Sequence, residues 1–102
     1  FSKLEATKTV SVADDATFAL SSGSCRSALI SVYESISGKG GIFFITYYGA
    51  AVLISGTASV AATDSDGDMC VFKSATSHVA TFKNRMGGTK TFNVAQVGGY
   101  LA

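Results

Sequence analysis

The sequence predicts an all-β fold, a compact antiparallel β-sandwich of jelly-roll-like type with eight or nine short strands. Three observations predict it. The apolar segments are filled by β-branched and aromatic residues punctuated by Gly and Ser, with few of the Ala, Leu, Glu and Lys runs that build amphipathic helices. Inside those segments apolar and polar residues alternate with a period of two. Turn signals recur roughly every 8–12 residues, the spacing of a sandwich or small barrel. At 102 residues the chain has the length of a single domain, residues 1–102. Because it begins at Phe1 without an initiating Met, it is expected to be a processed product or a fragment of a longer protein.

The first strand is read from Leu4 to Val12, where Leu4, Ala6, Lys8, Val10 and Val12 alternate with Glu5, Thr7, Thr9 and Ser11. Lys8 breaks the apolar face, and its stem is long enough to carry the ammonium out to solvent. Asp14 and Asp15 make a turn into a second strand, Ala16 to Leu20, and Ser21 to Ser24 make the next break. From Cys25 to Ser35 one parity holds Ala28, Ile30 and Val32 and the other holds Ser27, Leu29, Ser31 and Tyr33. Apolar residues on both parities predict a central strand at least partly covered on both faces. A helix over Ser24 to Ser35 is the competing reading, since Ala28, Leu29 and Val32 also form a helical stripe.

Ser37 to Gly41 reads as a flexible connection into the strongest strand, Ile42 to Tyr48, in which Phe43 and Tyr47 share one parity and Phe44 and Tyr48 the other. Gly49 breaks it, Ala51 to Ser55 resumes, Gly56 turns, and Ala58 to Ala62 forms a short strand. Thr63 to Asp68 reads as a tight acidic hairpin turn with Gly67 at positive φ. Met69 to Lys73 and His78 to Asn84 follow as strands. Asn84 to Gly88 is read as a hairpin loop that reverses the chain into the closing strand, Thr89 to Val97, with Phe92 and Val94 opposite Thr91, Asn93 and Ala95. Gly98 and Gly99 end it.

Composition narrows the function. Apolar residues make up 47% and charged residues 15% of the chain, against a usual charged share of roughly 25%. A net charge of +1 supplies no broad field for nucleic acid or anionic lipid, and neither is expected as a partner. No apolar run approaches the roughly 18 residues that would span a bilayer, so no membrane insertion is expected. Cys25 and Cys70 are either two reduced core thiols or one disulfide closing a long loop.

Chemistry-bearing patterns are sparse. His78 is the single histidine, and no catalytic set is expected around it; the chain is read as non-enzymatic, with no cofactor. Asp64, Asp66 and Asp68 around Gly67 follow the first half of a calcium loop, but loop position twelve falls on Ala75, where a glutamate is required. A hairpin turn with solvated carboxylates and a weak calcium site are the two readings of that segment. Lys73, Lys83, Arg85 and Lys90 surround the last loop, either to solvate it or to meet a phosphate or an acidic sugar. The aromatic residues are the better lead: Tyr33, Phe44, Tyr48 and Tyr100, with Arg85, are candidates for glycan binding or for a subunit interface, because sugars are held by ring faces flanked by polar groups.

The order of features has a familiar pattern. Asp14 to Phe18 sets an acidic turn before an Ala-Thr-Phe strand, Gly41 to Tyr48 is a glycine-flanked aromatic strand, and Asp66 to Val71 is followed by Phe82 to Val94, with its Asn-Arg, small turn and Thr-x-Thr-Phe-x-Val strand. Over residues 12–97 this resembles the small β-sandwich modules at the ends of bacteriophage tail-fibre and tailspike proteins and related virion attachment proteins. The resemblance implies a homotrimeric virion component that serves fibre assembly or binds a host cell-surface glycan. The chain departs from a fibre in lacking a heptad coiled coil or fibrous repeat. The alternative is a carbohydrate-binding module appended to a larger polysaccharide-active enzyme.

Overall fold

Period-two alternation becomes a two-sheet sandwich in the computed structural model, which describes residues 5–20, 27–46, 50–73 and 80–98. Nine strands run through these residues: β1 Glu5–Val12, β2 Thr17–Ala19, β3 Ala28–Glu34, β4 Gly40–Ile45, β5 Ala51–Gly56, β6 Val60–Ala61, β7 Met69–Lys73, β8 Ala80–Asn84 and β9 Lys90–Gly98. They form a five-stranded sheet in the order β1-β9-β3-β4-β5 and a four-stranded sheet in the order β2-β8-β7-β6. All pairings are antiparallel except the two-residue parallel contact of β6 with β7. The Cα radius of gyration, 12.2 Å, matches the roughly 13 Å of a compact chain of this length.

The inward parity of each sheet builds one core. Ile30, Val32, Phe43, Ile45, Phe92 and Val94 from the larger sheet meet Leu20, Met69, Val71, Ala80 and Phe82 around the smaller one. Phe82 anchors it, edge-on to Phe92 at 4.6 Å between centroids and tilted on Phe18 at 5.1 Å. Lys8 resolves its misplaced charge as its stem allows, with Nζ over the Phe18 ring at 5.6 Å.

Several readings of the sequence are corrected here. Residues 28–34 form the expected strand rather than the competing helix, because the alternation of Ala28, Ile30, Val32 and Glu34 inward with Leu29, Ser31 and Tyr33 outward is strict. This strand is central, between β9 and β4, yet within the described chain it is covered on one face only. Gly40 and Gly41 belong to β4 rather than to a connection. A Cβ at Gly40 would collide with the Val32 carbonyl oxygen and come 2.6 Å from Tyr33 Cβ, so only glycine pairs there. Residues 84–88 are not a hairpin loop: β8 and β9 lie in different sheets, and the loop crosses between them. The acidic segment 63–68 likewise connects the parallel pair β6 and β7 and so is not a hairpin turn, although Gly67 does take positive φ, at 87°. Cys25, Tyr47, Tyr48, His78 and Tyr100 lie outside the described residues.

Candidate functional site

The outer faces of the two sheets differ, and the difference locates the site. On the smaller sheet, Cys70 and Lys83 are cross-strand partners on the outward parity, opposite to Val71 and Phe82. The acidic segment folds back over them. Cys70 is fully buried yet lies outside the main core cluster, and its Sγ contacts the Ser65 backbone N and O at 3.4 Å and the Asp68 carbonyl oxygen at 3.5 Å. It carries a free thiol, and burial pushes its pKa above the ordinary thiol range.

Arg85 fastens this cover. Its Nη1 donates to Asp64 Oδ1 at 2.8 Å, Nη2 to Asp66 Oδ1 at 3.4 Å, and Nε lies 3.1 Å from Asp15 Oδ1 in ion-pair contact. Lys83 Nζ reaches Asp64 Oδ2 at 3.1 Å. Hydrogen bonds from Arg85 and then Lys83 hold the Asp64 carboxyl below the usual carboxylate range, and Asp64 in turn raises the Arg85 guanidinium. Asp64 and Asp66 thus face Arg85, and among the described residues no three His, Cys, Asp or Glu side chains are grouped to hold a metal ion. Nor are the four basic residues one patch: Lys83 and Arg85 meet the acidic segment, whereas Lys90 lies near Glu34.

The five-stranded sheet has no such cover within the described residues. Its outward parity places Val97, Leu29, Phe44 and Val52 directly opposite one another across β9, β3, β4 and β5. Each is between two-fifths and three-fifths exposed, as are Ile42 and Ile54 beside them. A bulge at Ile42/Phe43 brings Ile54 into this group, since Ile42 pairs with Ser55 and Phe43 with Leu53. Phe43 and Phe44 show the division of the strand: Phe43 is 0% exposed and Phe44 41%. Six large apolar side chains in adjoining rungs make a contiguous apolar surface, which single scattered residues would not.

The same face changes character toward the β3–β4 turn. Tyr33, 49% exposed, pairs with Asn93 on one side and Gly40 on the other, about 13 Å along the strand from Leu29 at the usual rise per residue. Thr9 Oγ1 donates to Asn93 Oδ1 at 2.9 Å, continuing the rung onto β1. Shallow depressions of about 420 and 490 Å³ flank the tyrosine, the first against Ser31 and Asn93, the second over Gly40, Gly41 and Gly56.

Among the predicted site residues, Tyr33 and Phe44 therefore share one sheet face but sit at opposite ends of it. Arg85 is on the other side of the molecule, engaged with carboxylates, and Tyr48 and Tyr100 are outside the described residues. Ile42, Val52, Ile54 and Val97, and the polar set Thr9, Ser31 and Asn93, were not singled out from the sequence. Parity within each strand was the available signal, but the rungs that join them depend on long-range register. Among the described residues no helix is long and apolar enough to cross a membrane. Comparison with protein-family models, with curated proteins and with solved structures found no match to this chain.

Proposed function

We propose that this chain is a non-enzymatic structural module of a viral fibre or spike, assembling as a homotrimer in the virion and attaching to a host-surface glycan. One observation carries the assembly part: the contiguous apolar outer face of the five-stranded sheet, with Phe44 and Leu29 at its centre. A face of this kind is stable in water when a partner surface covers it. The winding of β1 on β9 and of β2 on β8 supports a jelly-roll-like form of the sandwich. The virion setting rests on the resemblance to tail-fibre and tailspike modules.

Light scattering over a dilution series tests the assembly. The expected solution mass is three chains, and Phe44→Asp is expected to reduce it to one. A wild-type mass of one chain at every concentration overturns the trimer. The second reading, a monomeric carbohydrate-binding module appended to a polysaccharide-active enzyme, is favoured by Tyr33 and its polar neighbours, and that same monomeric mass would select it.

A further inference from the structure

We infer that Tyr33, Ser31 and Asn93 form a subsite for a neutral pyranose ring on the outer face of the five-stranded sheet. The inference rests on the glycan-attachment part of the proposed function, and its test is separate from that of the assembly part.

A sugar ring presents an apolar C–H face and a rim of hydroxyls, so it is held by an exposed aromatic ring beside unsatisfied donors and acceptors. Tyr33 supplies the ring. It is half exposed on a rigid central strand, and the absence of a side chain at Gly40 leaves the surface beside it open. No hydrogen bond within the described residues uses Ser31 Oγ, Tyr33 OH or Asn93 Nδ2. The Thr9 hydroxyl occupies Asn93 Oδ1 and so orients the amide, leaving the two Nδ2 hydrogens to donate. Ser31 and Tyr33 share one parity of β3, and Asn93 is the direct cross-strand partner of Tyr33, which gathers the three groups around one depression of about 420 Å³.

The charge around the depression favours a neutral ligand. Its lining holds no carboxylate among the described residues, and its cation, Lys8, has Nζ over the Phe18 ring. An open depression gives weak monovalent binding, with Kd on the order of millimolar. Several copies displayed together would raise the apparent affinity without further contacts.

The structural alternative is that Tyr33 merely covers Gly40, as cross-strand aromatics do for glycines in sheets. Two-dimensional amide NMR of the full chain separates the two. Methyl glucoside, methyl galactoside and methyl mannoside are titrated separately to about 50 mM, a range that reaches millimolar binding. With at least one of them, saturable shifts are expected at the Asn93 side-chain amide and at the backbone amides of Ser31, Tyr33 and Ala95. Tyr33→Ala is expected to abolish the shifts, and Asn93→Ala to weaken binding by about tenfold, the effect of losing one hydrogen-bonding group. Tyr33→Phe, which retains the ring, is expected to bind within several-fold of wild type. Dispersed amide spectra establish that each variant is folded. Absence of shifts with all three sugars, or shifts unchanged in Tyr33→Ala or Asn93→Ala, overturns the subsite. Phe44→Asp, the assembly variant, is expected to keep the sugar shifts, so the two proposals fail separately.

Discussion

Asn84 ties the two sheets together at one end through a single buried amide. Its Nδ2 donates to the Val12 carbonyl at 2.9 Å and the Gly88 carbonyl at 2.8 Å, while Oδ1 accepts from the Met86 N–H at 2.9 Å. The residue ends β8 in the smaller sheet, and Val12 ends β1 in the larger. Truncation would leave the buried Val12 carbonyl, and the half-buried Met86 N–H and Gly88 carbonyl, without this partner. Asn84→Ala is therefore expected to destabilise the fold by about 2–3 kcal/mol, read as a lower urea midpoint at unchanged slope. A change below about 0.5 kcal/mol would mean that water replaces the amide. Glu34 closes the β3–β4 turn in a comparable way. Its Oε2 accepts from Ile36 N at 2.7 Å and Oε1 from Ser37 N at 3.0 Å, and these hydrogen bonds, the first above all, hold its pKa below the usual range. Asp64 is lowered by Arg85 and Lys83. For both, the folded state binds protons less readily than the unfolded state, so their stabilisation is complete above the ordinary carboxylate pKa. It is lost as pH falls through the folded values. The urea midpoint is expected to hold steady from pH 7 to about 5 and to fall below about pH 4, less steeply in Glu34→Gln. An acid limb equally steep in that variant would remove Glu34 from this role.

Elements show where sequence patterns carry information and where they stop. Alternation placed Phe43 and Phe44 on opposite faces of the aromatic strand, and the structure does the same, because a pleated strand admits no other arrangement. The parity of β9 was legible for the same reason: Phe92 and Val94 point inward. Partners were not legible. The Asn84–Gly88 loop has the glycines of a hairpin, yet β9 leaves its neighbour in sequence to pair with β1 and β3, a choice made by distant residues. The candidate site was half legible for that reason. Phe44 could be set on the face opposite Phe43 and Tyr33 on the face opposite Ile30 and Val32, but the exposure of Tyr33 was not legible, and the Val97, Leu29, Phe44, Val52 rung is a product of register. The acidic segment was misread as a hairpin because β6 and β7 pair in parallel, and its Asp64 and Asp66 pair with Arg85, 19 residues or more away in sequence. That pairing gives the segment a testable role as a cover over Cys70. Arg85→Ala is expected to speed alkylation of Cys70 in the native protein, measured on its own peptide by mass spectrometry. An unchanged rate would show that the segment stays docked without its ion pairs.

For the whole molecule, the contrast between the two outer faces is what bears on function. On the smaller sheet the chain's own 63–68 segment covers Cys70 and is fastened by Arg85 and Lys83. The larger sheet presents an apolar area centred on Leu29 and Phe44, which adjoins the Tyr33 surface where Ile42 pairs with Ser31. Burying roughly half of each of six large side chains against a partner would recover apolar area at about 25 cal/mol per Å², the usual driving term for association. Such an arrangement suits a module that joins its copies through one part of a sheet and keeps another part free. Methyl NMR relaxation by a soluble paramagnetic agent tests whether that face is covered. In concentrated wild-type protein the methyl groups of Leu29, Val52, Ile54 and Val97 are expected to be shielded, while Ile36, 94% exposed on the β3–β4 turn, relaxes fully. Dilution or Phe44→Asp should remove the shielding. Relaxation of these four residues to the same extent as Ile36 at every concentration would contradict the assembly of this protein through its five-stranded sheet.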